Sequence, residues 1–256
     1  MARRILILGG TTEARELATM LARRPDLAVT ISLAGRTEHI VEQGAPTRIG
    51  GFGGAGGLAT WLRKERADAL IDATHPYAAQ ISWNAAAAAA MTGTPFLGLR
   101  RPPWQRVAGD HWTEVPSEPE AVTALGAEPT RVFLALGRKE LAPFESAPQH
   151  FYLVRSVDPV EPPLAVSEAI YVLERGPFTE AADGALMEQY RIDRLVCRNS
   201  GGDAAYGKIA AARALRIPVI LIARPALPDV ANVAASIDAA IAWLDHALAL
   251  TIARGE

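Results

Sequence analysis

Gly9-Gly10-Thr11-Thr12-Glu13-Ala14 follows the apolar run Ile5-Leu6-Ile7-Leu8 and opens a helical pattern. A dinucleotide fold places its phosphate loop at such a point, where the backbone N–H groups of a glycine turn and the first turn of a helix face an anion. Against the usual G-x-G-x-x-G form only the first glycine is kept, so strand-turn-helix context carries the reading. The Thr11 and Thr12 hydroxyls add donors, and a threonine-capped strand-to-helix turn is the plainer alternative. After the second apolar run the chain reads Ser32-Leu33-Ala34-Gly35-Arg36-Thr37. A carboxylate at this place takes the ribose hydroxyls of NAD, whereas Arg36 with Ser32 and Thr37 suits a 2′-phosphate and so NADP. An arginine exposed in a loop is the competing account of Arg36.

Two further turns carry candidate chemistry. Gly50-Gly51-Phe52-Gly53-Gly54-Ala55-Gly56-Gly57 is a glycine-rich loop ahead of a helix, either a close approach to a cofactor or a flexible crossover. Asp72-Ala73-Thr74-His75-Pro76-Tyr77 follows another apolar run, at the carboxyl end where open α/β sheets collect ligands. His75 is a candidate proton donor or nicotinamide contact, or else it simply fixes the loop. In the second half, cations recur in turns after apolar runs: Gly137-Arg138-Lys139, Arg155-Ser156, Arg175-Gly176-Pro177, Arg198-Asn199-Ser200-Gly201-Gly202 and Arg224-Pro225. Guanidinium forks match carboxylates, so this recurrence points to a polyanionic ligand; helix capping and solubilising charge are the alternative. The Asn199-Ser200-Gly201-Gly202 turn, ahead of a helix carrying Lys208, resembles an anion-binding turn.

These turns need a scaffold of alternating strands and helices. Ile5-Leu6-Ile7-Leu8 reads as a fully buried strand, and Ala14, Leu17, Ala18 and Leu21 share one face of the next helix, with Pro25 beyond it. Further strands are expected at 28–33, 69–71, 95–99, 132–136, 152–155, 170–173, 195–198 and 219–222. Helices are expected around 57–66, 78–92, 118–126, 179–190 and 206–215. Ile237, Ile241, Leu244 and Leu248 put an apolar stripe on a last helix. The alternation breaks at Arg100-Arg101-Pro102-Pro103-Trp104, which divides the chain into domains 1–104 and 105–256. The expected fold class is α/β, with two Rossmann-like lobes of mostly parallel sheet around a central cleft; one continuous sheet is the alternative.

Composition excludes several classes. A chain of 256 residues that is 50% hydrophobic and 21% charged can bury a large core, so general disorder is excluded. A net charge of −2 argues against a polybasic nucleic-acid surface. One cysteine, Cys197, forms no intrachain disulfide, suits a reducing compartment and reads as a small packing residue. The five histidines show no local ligand spacing, so no metal is expected. No secretory signal or membrane-length apolar run is visible, and a cytoplasmic protein without membrane contact is expected.

The ordered set of motifs resembles the precorrin-6A reductases of cobalamin biosynthesis, including their cobalt-precorrin counterparts. The resemblance rests on Ile5 to Ala14, on Asp72 to Ala78, on Asn199-Ser200-Gly201-Gly202 with Lys208-Ile209-Ala210-Ala211-Ala212-Arg213, and on Ile217-Pro218-Val219 and Arg224-Pro225. It spans essentially the whole chain. One departure is Arg198, where lysine is expected in many relatives; charge is kept there but not a titratable amine. The resemblance implies NADPH-dependent reduction of precorrin-6A to precorrin-6B, by hydride transfer to a double bond of an anionic tetrapyrrole-derived macrocycle. Transient contact with neighbouring pathway enzymes is left open by the sequence. NADPH is then expected on the first domain, at Gly9, Gly10, Thr11, Thr12, Glu13, Ser32, Gly35, Arg36, Gly50, Gly51, Phe52, Thr74 and His75. The macrocycle is expected on the second, at Arg138, Lys139, Arg155, Arg175, Arg198, Ser200, Gly201 and Lys208. No catalytic residue is assigned; His75, Tyr77 and Tyr206 are weak candidates for a proton donor. The alternatives are the cobalt-bearing substrate, a non-catalytic NADP-sensing module, and a methyltransferase, against which Arg36 argues.

Overall fold

The computed structural model describes residues 2–35 and 41–254, with side chains through residue 250. In chain order its first elements are Arg3–Leu8 (β1), Thr12–Ala22 (α1), Leu27–Leu33 (β2), Thr47–Ile49 (β3), Gly54–Glu65 (α2), Ala69–Asp72 (β4), Ala79–Thr92 (α3) and Phe96–Leu99 (β5). A second series follows: Trp112–Val115 (β6), Glu118–Leu125 (α4), Arg131–Ala135 (β7), Phe151–Ser156 (β8), Glu168–Leu173 (β9), Glu180–Gln189 (α5), Arg194–Arg198 (β10), Gly207–Ala214 (α6) and Val219–Ile222 (β11). Val233–Ala234 (β12) and Ile237–Arg254 (α7) end the chain.

The strands form two separate sheets of six, each parallel throughout, rather than one continuous sheet. The first has the order β12-β5-β4-β1-β2-β3 and the second β6-β11-β10-β7-β8-β9. Two-sided burial explains the unbroken apolar strands. In β1, Ile5 and Ile7 join α1 and α7, through Leu17, Leu21, Ala240 and Leu244. Leu6 and Leu8 face the other way, with Leu58 and Leu62 of α2 and Ala85, Ala88 and Ala89 of α3. Each fully buried leucine of these layers contributes about 1.5–3 kcal/mol. In the second sheet, Phe133, Leu195 and Leu221 pack with Met187, Ile209 and Ala212.

The two compact units are Met1–Arg101 with Pro225–Glu256, and Pro102–Arg224. The first unit breaks after Arg101 and resumes at Pro225, so the chain's end differs from the expectation. The tail, expected in the second domain, joins the first: β12 pairs with β5, Val233 opposite Gly98, and α7 buries Ala240, Leu244 and Leu248 on the first sheet. A two-residue strand has no readable period, and an apolar stripe does not say which sheet it covers. Strands β3, β6 and β12 were not expected at all; each is short, and all but β6's Trp112 and Val115 offers little apolar pattern. Among the described residues no helix is long and apolar enough to cross a membrane.

Candidate functional site

Strand order fixes where a ligand can sit. In the first sheet the chain runs outward from β1 to β2 and β3, then returns to the other side of β1 for β4 and β5. The crevice beyond the carboxyl ends of β1 and β4 is therefore the switch point, the usual ligand seat of an open α/β sheet. Leu8, Ser32 and Asp72 lie side by side in the register there. A cleft of about 160 Å³ opens over these ends, lined by Gly9, Ser32, Gly50, Gly51, Phe52 and Thr74 of the expected cofactor residues. Leu8, Ala34, Gly53, Gly54, Leu58, Ile81 and Asn84 complete its wall.

Glycine is required at several points of this wall. A Cβ on Gly9 would lie 2.7 Å from the Ile31 side chain, so β1 and β2 pack closely only without one. At Gly10, Gly50, Gly51, Gly53 and Gly54 a Cβ would meet nothing within 4 Å, so these backbones border open space. Helix α2 starts behind a left-handed Gly53 with no side-chain cap, which leaves its first N–H groups to an external acceptor. This open, glycine-bordered cradle with helix N–H groups fits a dinucleotide's phosphates.

Other expected residues have internal work. The Thr11 hydroxyl accepts from Ala14 N–H at 3.1 Å and donates to the Ala73 carbonyl at 2.8 Å, so it caps α1 and ties the two turns of the switch point together. The Glu13 carboxylate takes two bonds from Arg101 Nη1, at 3.0 and 2.8 Å. Gly35, at φ 71°, sits against Ile49 and Gly50. Asp72 Oδ1 accepts from the Thr74 N–H and hydroxyl, at 3.1 and 2.7 Å, which holds Thr74 on the cleft wall. His75 Nδ1 accepts from Tyr77 N–H at 3.3 Å, the loop-fixing arrangement, which puts the proton of the neutral ring on Nε2. Arg36 lies outside the described residues. Arg48 was missed by sequence reasoning: its Nη2 donates to the Gly51 carbonyl at 2.8 Å and its guanidinium covers the Phe52 ring at 3.8 Å.

The second sheet has its own switch point between β7 and β10. Arg198, the last residue of β10, reaches Glu118 at 2.8 Å and Glu140 at 3.2 Å. The Glu140 carboxylate lies close against Gly137, in the turn after β7. In the turn after β10, Gly201 and Gly202 adopt φ of 67° and 71°, and Arg224 binds the carbonyls of Asn199 at 2.8 Å and Ser200 at 3.0 Å. Trp104 Nε1 donates to the Gly202 carbonyl at 2.8 Å, and Lys208 Nζ to that of Ala205 at 2.6 Å.

The expected substrate cations thus divide. Arg138, Lys139 and Arg175 are exposed. Arg155 and Lys208, expected on a ligand-facing surface, are only 6% and 5% exposed. Arg155 pairs with the buried Asp183 and stacks on Phe178 at 3.7 Å, while Lys208 lies over Trp104 at 4.9 Å. Tyr206, a proton-donor candidate, accepts from Arg213, which also binds Asp110 at 2.8 Å. Burial pushes the Cys197 thiol up to about 11, as suits a packing residue. Residue type alone marks a cation; only the tertiary structure shows its partner.

A family model described as "Precorrin-6x reductase CbiJ/CobK" matches residues 4–245. A "Precorrin-6A reductase" from Sinorhizobium sp is 54% identical over 246 residues, covering 96% of this chain and 94% of that protein. Another of that name, from Rhodobacter capsulatus, is 50% identical over 244 residues, covering 95% and 96%. A solved structure, "CobK precorrin-6A reductase", superposes with a TM-score of 0.91 at 48% identity, over 96% of this chain and 97% of that one.

Proposed function

The chain belongs to the precorrin-6x reductase family, and from that premise we propose that it reduces metal-free precorrin-6A to precorrin-6B with NADPH. It is an oxidoreductase of cobalamin biosynthesis. The observation that carries this is 54% identity over 96% of this chain and 94% of a precorrin-6A reductase. The same name on the 50% relative favours the metal-free substrate over the cobalt-bearing one. A reducing, cytoplasmic setting suits the single buried thiol.

NADPH, when bound, supplies the hydride that joins one carbon of the macrocycle double bond, while a proton joins its neighbour. The chain's own contribution is binding, orientation and exclusion of water. Gly9, the Gly50-Gly51-Phe52 turn and Thr74 hold the dinucleotide, with Gly10 and Gly35 shaping the adjoining turns. The α1 and α2 N-termini give N–H groups to the phosphates. On the second unit, Arg138, Lys139 and Arg175 meet the carboxylates of the macrocycle at its surface. Arg198, held between Glu118 and Glu140, gives a guanidinium at the end of β10, and the Ser200-Gly201 turn adds N–H donors. Arg155 and Lys208 act behind that surface, supporting the strand end and the turn.

The reading is tested by anaerobic oxidation of NADPH with purified protein and metal-free precorrin-6A, following the nicotinamide and macrocycle spectra together. Coupled changes that need both components support it. Turnover only with the cobalt-bearing macrocycle overturns the substrate, and turnover equal with NADH overturns the cofactor.

Two substitutions separate the units. Arg36→Ala is expected to weaken NADPH binding about 10- to 100-fold, as for the loss of a charge-assisted hydrogen bond, with NADH binding unchanged. Equal loss for both nucleotides would remove the 2′-phosphate role. Arg198→Ala is expected to raise KM for the macrocycle about 10-fold or more while NADPH binding is kept; unchanged substrate kinetics would take Arg198 out of the substrate site.

A further inference from the structure

Arg48 sits on the short edge strand β3, directly opposite Ser32 in the register of β2 and β3. Ser32 ends the stretch where an NAD-binding fold keeps its ribose-binding carboxylate, so here a hydroxyl and a guanidinium meet instead. The guanidinium is held firmly. Nη1 donates to Ser32 Oγ at 3.3 Å and to the Gly50 carbonyl, Nη2 donates to the Gly51 carbonyl at 2.8 Å, and the Phe52 ring lies beneath at 3.8 Å. All four of these neighbours line the cleft at the switch point.

Every one of these partners is neutral. Among the described residues no carboxylate forms an ion pair with Arg48, in contrast to Arg101 with Glu13, Arg155 with Asp183 and Arg198 with Glu118. A half-buried positive charge without a countercharge, beside an open cleft, favours an anionic ligand. Three of the five guanidinium N–H groups are used internally, and Nε–H is among those left to a ligand.

We propose that Arg48 is a specificity-determining residue that binds the 2′-phosphate of NADPH, alongside Ser32. The proposal rests on the NADPH reading above and gives that phosphate a seat at the carboxyl end of the sheet. Arg48 thereby couples the two tasks: its bonds to Gly50 and Gly51 set the cradle, and its remaining donors read the nucleotide.

The test is calorimetric titration of the whole chain with 2′,5′-ADP and with 5′-AMP, which differ only in the 2′-phosphate. The wild type is expected to bind 2′,5′-ADP more tightly. Arg48→Gln is expected to weaken 2′,5′-ADP about 10-fold more than it weakens 5′-AMP, and Arg48→Lys to retain part of the preference. Equal weakening of both ligands by Arg48→Gln means the side chain only props the loop and overturns the proposal, as does no change for either. A preserved preference in a folded Arg48→Lys beside an unfolded Arg48→Gln supports a charge requirement; loss of both ligands equally in Arg48→Lys overturns it. A wild type that binds the two ligands alike removes the NADPH reading itself, which separates that failure from failure of Arg48 alone.

Discussion

Gly57→Ala is expected to lower turnover with NADPH about 100-fold, because it displaces the loop that borders the cleft proposed to hold the nucleotide. A Cβ at this position in the first turn of α2 would collide with the Phe52 carbonyl. That carbonyl cannot move alone: the Phe52 ring lies under Arg48 at 3.8 Å and edge-on to Trp61 at 5.8 Å. The strain therefore passes to Gly50, Gly51, Gly53 and Gly54, the open backbone of the cleft wall. NADPH affinity should fall with turnover, since binding and alignment use the same loop. Gly56→Ala is the matched control. A Cβ there meets nothing within 4 Å, and alanine in place of a helical glycine should stabilise by about 0.5–1 kcal/mol. If Gly57→Ala turned over as fast as Gly56→Ala, the loop would not form the nucleotide site.

Asp183→Ala should be the most destabilising single change in the second unit, costing about 3–5 kcal/mol. The Arg155 side chain is 5% exposed and that of Asp183 2%, so their charges compensate each other inside the protein. Glu174 lies 3.9 Å from Arg155 and is half exposed, a distant and solvent-screened substitute. Truncating Asp183 leaves a guanidinium buried against Phe178 and Phe133, at 3.7 and 5.0 Å, with most of its desolvation uncompensated. Urea unfolding followed by circular dichroism should show the loss as a lower midpoint. The double change Arg155→Met with Asp183→Leu should recover most of it, because an apolar pair needs no charge compensation. A loss below about 1 kcal/mol in Asp183→Ala would mean that the pair is solvated and not part of the core.

Arg155 also shows why the proposed substrate surface was harder to read than the fold. In sequence, Arg155, Arg175 and Arg198 are equivalent cations after apolar strands. In the structure Arg175 is exposed, Arg198 is shared by Glu118 and Glu140, and Arg155 is enclosed with Asp183. Those carboxylates come from positions 80, 58 and 28 residues away. No local spacing records such a partner. Arg48 makes the converse case: Thr47-Arg48-Ile49 has no motif and too few residues for a period, yet register with Ser32 brings it to the cleft.

What the sequence determined by itself was local. Continuous apolar runs such as Ile5 to Leu8 specify strands buried on both faces, and the spacing of Ala14, Leu17, Ala18 and Leu21 specifies the helix between them, because burial at period 2 or 3.6 is written along the chain. The glycine turns at 9–10 and 50–54 were equally legible, since Gly10, Gly50, Gly53 and Gly54 take a positive φ that other residues rarely adopt. Tertiary structure decided the rest. It set the strand order that makes β1 and β4 the switch point, returned β12 and α7 to the first unit, and chose which cations are neutralised inside and which reach the surface. These depend on pairing energies between distant segments, and a pairing of Ser32 with Arg48 or Arg155 with Asp183 exists only once the chain has closed on itself.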